Sequence, residues 1–321
     1  MASVILKSPI SNQRVPVPIS TTEVSDLKTG MKPLKNLKSI LVTGAGSPGF
    51  IPIVKALNYR VIGVDMDEGA VGKDFVDKFY KVPPAKDELF IPAIREICKN
   101  EKVSVILPKV TAETEKLALE KDLGGAIVSI SDYKTVNLCN NKLAFYIKCS
   151  QSRIPIPPFL IGNKFISKPI RGSGSEGVET LSFNEPKILM EHIQGEEYSV
   201  DILANHGDPL VIVPRIRTKV KAGISVEGVV TQQEQVIFWA GEITKLLKLN
   251  GIVGLQFIMD RNGIPLVIEC NPRMHGTLAL TIEAGANLPD LAVKLALGEE
   301  FEPPQIKWGL KMKRYLREVY E

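Results

Sequence analysis

Residues 251–273 read Gly-Ile-Val-Gly-Leu-Gln-Phe-Ile-Met-Asp-Arg-Asn-Gly-Ile-Pro-Leu-Val-Ile-Glu-Cys-Asn-Pro-Arg. Two strand-like runs, Ile252–Met259 and Ile264–Cys270, flank Asn262-Gly263, a dipeptide suited to a two-residue hairpin turn. Such a turn pairs Arg261 with Ile264. Counting back along both strands then sets Glu269 opposite Gln256, with Cβ atoms ~5 Å apart. Asn271, two residues beyond Glu269, shares that face. Three oxygen-bearing side chains on adjacent strands suit a hard cation such as Mg2+, which keeps its other positions for water and phosphate oxygens. The alternative for this face is a solvated hairpin surface, polar by default. Arg273, just past Pro272, has the planar fork to hold phosphate or carboxylate bidentately.

The hairpin belongs to a chain of 321 residues, a length that suggests about two domains. Apolar residues make up 44% and the net charge is only +4, which excludes disorder as the main state. The one dense basic cluster, Lys311-Met312-Lys313-Arg314, reads as a solvated last helix, so no nucleic-acid partner is expected. Cys98, Cys139, Cys149 and Cys270 show no Cys-x-x-Cys pairing and suit reduced thiols in a cytoplasmic protein. His192, His206 and His275 have no ligand-like spacing, which argues against zinc. No apolar run approaches the ~20 residues of a membrane span, and Met1–Gly30 lacks the build of a signal peptide. Residues 1–38 read as an N-terminal extension, either a leader placed before Met31 or a natural disordered arm.

From residue 39 to about 130, strands alternate with helices, which predicts a Rossmann-like parallel sheet covered on both faces. Gly44-x-Gly46-x-x-Gly49 opens the first helix, and Asp65 closes the next strand 21 residues after Gly44. That spacing fits a dinucleotide fingerprint. Pro48, however, removes an N–H from the expected anion nest, and a tight turn using glycines for backbone reasons fits as well. A helix over Asn137–Ser152 ends at Pro155, Pro157 and Pro158. Residues 131–300 then read as an α+β unit rich in hairpins, followed by a helical tail over 301–321. Within it, Ser167-Lys168-Pro169-Ile170-Arg171-Gly172-Ser173-Gly174-Ser175-Glu176-Gly177-Val178 joins two strand-like runs. Its small residues can lay backbone N–H groups over phosphates while Lys168 supplies charge, or the segment is simply a flexible hairpin loop. It is not a Walker A loop, since no Gly-Lys-Ser/Thr closes it onto a helix. Arg215 and Arg217 alternate along one strand and so face the same way, ahead of an expected loop over 221–229. A solvated basic strand is the alternative there.

Taken in order, five segments resemble the ATP-grasp superfamily: Val42-Thr-Gly-Ala-Gly46, the Lys168 glycine loop, Met190-Glu-His-Ile-Gln-Gly-Glu-Glu-Tyr-Ser-Val-Asp201, Gly254-Leu-Gln-Phe257 and Ile268-Glu-Cys-Asn-Pro-Arg273. The similarity covers roughly residues 38 to 300. It is greatest to the free-standing branch that looks like one synthetase unit of the carbamoyl phosphate synthase large subunit. This resemblance implies an α/β plus α+β architecture, a Rossmann-like pre-ATP-grasp domain followed by an ATP-grasp fold. The first unit in such proteins usually holds substrate, which demotes the nicotinamide reading.

The resemblance also implies roles. Lys142 and Lys168 would contact ATP phosphates, with Gly172, Ser173, Gly174, Ser175 and Gly177 forming the phosphate lid. Glu191, His192 and Ile193 would meet adenine and Glu197 the ribose. Gln256, Glu269 and Asn271 would hold Mg2+ (or Mn2+), and Arg273 would act with Lys168 at the transferred phosphoryl group. Arg215, Arg217 and Arg273 would face the substrate. The activity implied is an ADP-forming carboxylate–amine ligase taking a small carboxylate and an amine, and family members often pair as homodimers. A nucleotide-binding module without chemistry is the second expectation. Two stretches, 160–165 and 181–187, are shorter than in the family, and the second removes most of a helix that normally follows the glycine loop. With one grasp unit and no glutaminase, complete carbamoyl phosphate synthesis is not expected.

Overall fold

Ser39-Ile-Leu-Val-Thr43 is buried at every position, as expected of a central strand covered on both faces. It is strand β1 of the computed structural model, which describes residues 38–171, 177–221 and 223–315. There follow α1 (Phe50–Ala56), β2 (Arg60–Asp65), β3 (Lys78–Lys81), α2 (Phe90–Glu101), β4 (Val103–Leu107), α3 (Thr111–Leu119) and β5 (Ile127–Val128). These strands form one parallel sheet in the order β3-β2-β1-β4-β5. The glycine turn after β1 is closed by Asp65 itself, whose carboxylate accepts from Gly46 N at 2.7 Å and Asp67 N at 2.9 Å. Those glycines therefore serve a backbone turn.

The helix expected over Asn137–Ser152 is two helices, α4 (Tyr133–Asn140) and α5 (Lys142–Gln151). The break comes at Asn141, whose side chain accepts from Ala144 N at 3.0 Å and caps α5. Lys142 is thereby the first residue of a helix. Strands β6 (Phe159–Ser167) and β7 (Glu179–Met190) make a separate antiparallel pair, with no helix between Phe159 and Met190 among the described residues.

The remaining elements are β8 (Glu197–Asn205), β9 (Asp208–Lys221), β10 (Ile224–Val230), α6 (Glu234–Leu247), β11 (Gly251–Met259), β12 (Pro265–Asn271), α7 (Leu278–Glu283), α8 (Leu288–Ala296) and β13 (Lys311–Lys313). They include an antiparallel sheet in the order β12-β11-β8-β9-β10-β13. Two expectations are corrected here. The stretch over 221–229 is mainly strand β10 rather than a loop, its Ile and Val residues pairing with β9. The C-terminal segment is not helical between 301 and 315: Lys311–Lys313 pairs with β10, and Met312 packs on the core between two exposed lysines. A period of two outweighed the density of charge, because β10 had an open edge to pair.

Alternation sorts the six-stranded sheet's two faces. Val200, Ile202, Val253, Leu255, Phe257 and Val267 turn toward a core completed by α5 and α6. On the other face Leu203, Val211, Val213 and Ile252 join α1, α7, α8 and the parallel sheet in a second, shared core. Burial of each such aliphatic side chain stabilises by roughly 1.5–3 kcal/mol. All four cysteines are buried free thiols, with Cys139 and Cys270 Sγ atoms 3.3 Å apart. Among the described residues no helix is long and apolar enough to cross a membrane.

Glu113, in the first turn of α3, is buried, and that burial, with Asp65 nearby, pushes its carboxyl from 4.5 up to about 7. Between those values the unfolded chain has lost a proton that the folded chain keeps, so this group weakens the fold as pH rises from 4.5 to about 7. Glu113→Gln should therefore gain in melting temperature over the wild type at pH 8, with the gain shrinking toward pH 5. Thermal unfolding of both proteins at the two pH values checks this, and a gap independent of pH contradicts it.

Candidate active site

Near one end of the face that carries the shared core, alternation continues but the side chains become polar. Ser199 of β8, Arg217 of β9, Gln256 of β11 and Glu269 and Asn271 of β12 line a cleft of about 480 Å3. Its opposite wall is made by Ser47, Pro48 and Lys109, from the loops that leave the carboxyl ends of β1 and β4, and by Thr111, the first residue of α3. Open parallel sheets present ligand sites at those strand ends.

Gln256 does pair with Glu269, but not through the expected turn. Asp260 N donates to Ile264 O at 2.9 Å, closing a three-residue connection rather than a two-residue one. The Asp260 carboxylate accepts from Asn262 N and Ile264 N at 2.8 and 2.7 Å, and Gly263 takes the left-handed φ of 77° that this longer loop needs. The shift of one residue is cancelled by a bulge: Phe257 pairs with Val267 and Gln256 with Glu269, leaving Ile268 unpaired. Tyr146 of α5 donates its hydroxyl to the bulged Ile268 carbonyl at 2.5 Å, and Val267 N donates to Pro155 O at 2.9 Å.

Glu269 lies 2.7 Å from Lys142 Nζ. Burial pushes its carboxyl up, but Lys142 and the Asn271 side chain outweigh this, and the net direction is down. The group is therefore ionised at neutral pH. Arg273 donates from Nε to Thr111 Oγ1 at 2.5 Å, from Nη1 to Met274 O at 3.0 Å and from Nη2 to Asn271 Oδ1 at 3.3 Å. No three His, Cys, Asp or Glu side chains cluster as a metal set among the described residues. Gln256, Glu269 and Asn271 bring one charge and two amide oxygens, all hard donors. That set fits Mg2+ shared with phosphate oxygens better than a cation held by protein alone.

The other expected residues divide. Glu197 begins β8 and pairs with Arg217 at 2.8 Å. Lys168 is exposed beyond the end of β6, and Gly177 precedes β7; neither lines the cleft. Glu191, His192 and Ile193 follow β7 outside any helix or strand, with Glu191 N bonded to Pro158 O at 2.9 Å. Lys142 also edges a second hollow between α5 and the β6–β7 pair. Gly172, Ser173, Gly174 and Ser175 lie outside the described residues. Arg215 departs from the expectation of an open substrate contact. It is 3% exposed, 2.8 Å from Asp201, and donates from Nη1 to Thr277 Oγ1 at 2.6 Å.

Residues 183–317 match a family model described as an ATP-grasp in the biosynthetic pathway with Ter operon, and residues 40–127 match a PylC-like N-terminal domain. The second half of the chain is thus similar to an ATP-grasp family. In an alignment of 282 positions that covers 75% of its length, the chain is 23% identical to the arginine-specific large chain of carbamoyl phosphate synthase from Geobacillus stearothermophilus, of which it spans 26%. Solved structures of similar fold include Rhizobium etli pyruvate carboxylase (TM-score 0.64, 15% identity, covering 86% of this chain and 30% of that one). The biotin carboxylase domain of Hydrogenobacter thermophilus 2-oxoglutarate carboxylase, in complex with MgADP, ADP and bicarbonate, has a TM-score of 0.62 at 15% identity over 86% and 73%. N5-carboxyaminoimidazole synthetase of Staphylococcus aureus has a TM-score of 0.62 at 13% identity over 84% and 80%.

Beneath the cleft the sequence reading missed a buried network around Asp201. Its carboxylate meets Arg215, His275 Nδ1 at 3.0 Å and Thr281 Oγ1 at 2.5 Å. The imidazole fits only because Gly254 has no Cβ, which would fall 2.2 Å from His275 Nε2. Burial pushes His275 down, so it stays neutral, its Nδ1–H donating to the Asp201 carboxylate. Asp201 itself is raised by burial but held at about 2 by Arg215, His275 and Thr281. A signal existed: an aspartate inside the apolar run Tyr198–Ala204 must be paired or neutral. Asp201→Ala strands a buried guanidinium and should cost about 3–5 kcal/mol of stability in urea unfolding. The stabilisation from Asp201 is complete above 3.8 and is lost as pH falls through about 2, so the deficit should vanish only in strong acid. A loss below about 1 kcal/mol at pH 7 would remove this network as a support of the fold.

Proposed function

We propose that this chain is an ATP- and Mg2+-dependent ligase that activates a small carboxylate as an acyl phosphate for attack by an amine, releasing ADP. The observation that carries the reading is the Gln256–Glu269–Asn271 donor set beside Arg273 and Lys142, facing a cleft between two sheets. Relatives support it: one is a carbamoyl phosphate synthase chain and another an N5-carboxyaminoimidazole synthetase, although this chain spans 26% of the first.

In this reading Gln256, Glu269 and Asn271 hold the cation, which when bound neutralises charge on the phosphate oxygens. Lys142 moves from Glu269 to a phosphate, a short swing for a side chain 61% exposed. Lys168 and the glycine lid, including Gly172, Ser173, Gly174, Ser175 and Gly177, cover the phosphates and exclude water that would hydrolyse the acyl phosphate. Glu191, His192 and Ile193 hold adenine and Glu197 a ribose hydroxyl. Arg273 orients the transferred phosphoryl group and Arg217 faces the acid, while Arg215 acts only by positioning. The chemistry asked of the protein is positioning and charge neutralisation. The domain division at about residue 130, a homodimer and a cytoplasmic setting belong to the same reading; a similar biotin carboxylase structure is a domain dimer.

A second reading, a module that binds nucleotide without turning it over, rests on the β6–β7 pair, which has no helix between its ends among the described residues. The deciding experiment is ADP release from Mg2+-ATP across a panel of small acids and amines. One acid should stimulate release, one amine should raise it further, and Glu269→Ala should lower kcat/KM at least about a hundredfold, or about 2.7 kcal/mol. ATP binding with a flat panel favours the module, and near-wild-type turnover in Glu269→Ala defeats the site assignment.

A further inference from the structure

The charges around the cleft do not balance. Glu269 is matched by Lys142, and Arg217 by Glu197. Lys109 is only 4% exposed, yet its ammonium meets no carboxylate among the described residues; Nζ donates to Pro48 O at 2.7 Å. Arg314, just after β13, bonds through its backbone to Val226 O at 2.8 Å and through its guanidinium to Gly276 O. Arg273 ties Thr111, Met274 and Asn271, again without an ion pair among the described residues. Burial, then Arg273 and Arg314, push Lys109 down to about 8, so both guanidinium groups act on the Lys109 ammonium. Buried charge left unmatched is costly, and folds retain it where a ligand supplies the partner.

The backbone adds to the same field. Val110, the residue before α3, gives that helix no side-chain cap, and Thr111 and Ala112 of its first turn line the cleft beside Lys109. The position separates this group from the expected nucleotide residues. Lys142 edges a different hollow, and Glu191, His192 and Ile193 follow β7, whereas Lys109 stands on the parallel-sheet wall across from Gln256 and Glu269.

We infer that Lys109 and Arg314, with Arg273 beside them, form an anion subsite that holds a carboxylate or phosphate group of the acid substrate. This rests on the ligase reading and narrows it: the substrates are small acids anchored through an anionic group on the parallel-sheet wall. Arg314 enters the site because the C-terminal strand pairs with β10 and returns the chain to Gly276.

Calorimetric titration of the full chain, with and without Mg2+-ADP, tests the subsite with acetate, succinate, glutamate, inorganic phosphate and glycerol 3-phosphate as probes. At least one probe should bind, and its Kd should rise about tenfold or more in Lys109→Met and in Arg314→Gln while Mg2+-ADP affinity is unchanged. Preference for succinate or glutamate assigns a carboxylate; preference for the phosphates assigns a phosphorylated acid. Absence of binding by every probe, or undiminished binding in both variants, overturns the proposal. Should Lys109→Met fail to fold, Arg314→Gln decides alone. Lys109-dependent binding without ADP release in any amine panel would leave the subsite standing and remove the ligase reading.

Discussion

One buried carboxylate organises the side of the molecule that matters most. Asp201 points from the middle of β8 into the space between the six-stranded sheet and the chain that follows β12. There it gathers Arg215 from β9, His275 from the loop after Asn271 and Thr281 from α7. An isolated carboxylate at such depth would be neutral or would not fold; with three partners it is held ionised. The loop carrying Arg273 is thus tied at His275, two residues away, and Thr277 is fixed by Arg215. The cleft's floor is tied down through a charge beneath it that has to be satisfied.

The same face of the sheet does two jobs along its length. At one end Leu203, Val211, Val213 and Ile252 enter the core shared with α1, α7 and α8. At the other, Ser199, Arg217, Gln256, Glu269 and Asn271 meet the loops after β1 and β4 across the cleft. A single alternation supplies both, since residues two apart on a strand share a face. The packing that stabilises the fold therefore also sets the height of the opposite wall, and with it the reach from Lys109 to the residues of β11 and β12.

The β11–β12 hairpin shows how a correct pairing can rest on compensating local features. Asn262-Gly263 suggests a two-residue turn, yet the Asp260 carboxylate takes two backbone N–H groups and draws the loop out by one residue. The bulge at Ile268 restores the register, and what stabilises it comes from elsewhere: the Tyr146 hydroxyl on the freed carbonyl and Pro155 on Val267 N. It also lets Val267 and Cys270, three positions apart, both enter one core. Glu269 and Asn271 remain at the cleft only because α5 and the proline-rich linker pin that irregularity.

The amino-acid sequence by itself determined the parallel sheet, the antiparallel hairpins and the shared face of Gln256, Glu269 and Asn271. These depend on periodicities, short-range turn chemistry and compact motifs, all local in the chain. It also carried the one-unit break at Asn141 in its capping chemistry, although a continuous apolar pattern concealed it. Tertiary structure alone decided that Arg215 is buried in a network rather than open to substrate, and that the basic tail is a strand. It alone brought Arg314, bonded to the Gly276 carbonyl, toward the cleft that Lys109 lines. Those outcomes turn on long-range pairing and desolvation: which edge is open, which charge is cut off from water, and which partner, 14 or 74 residues away, can satisfy Asp201.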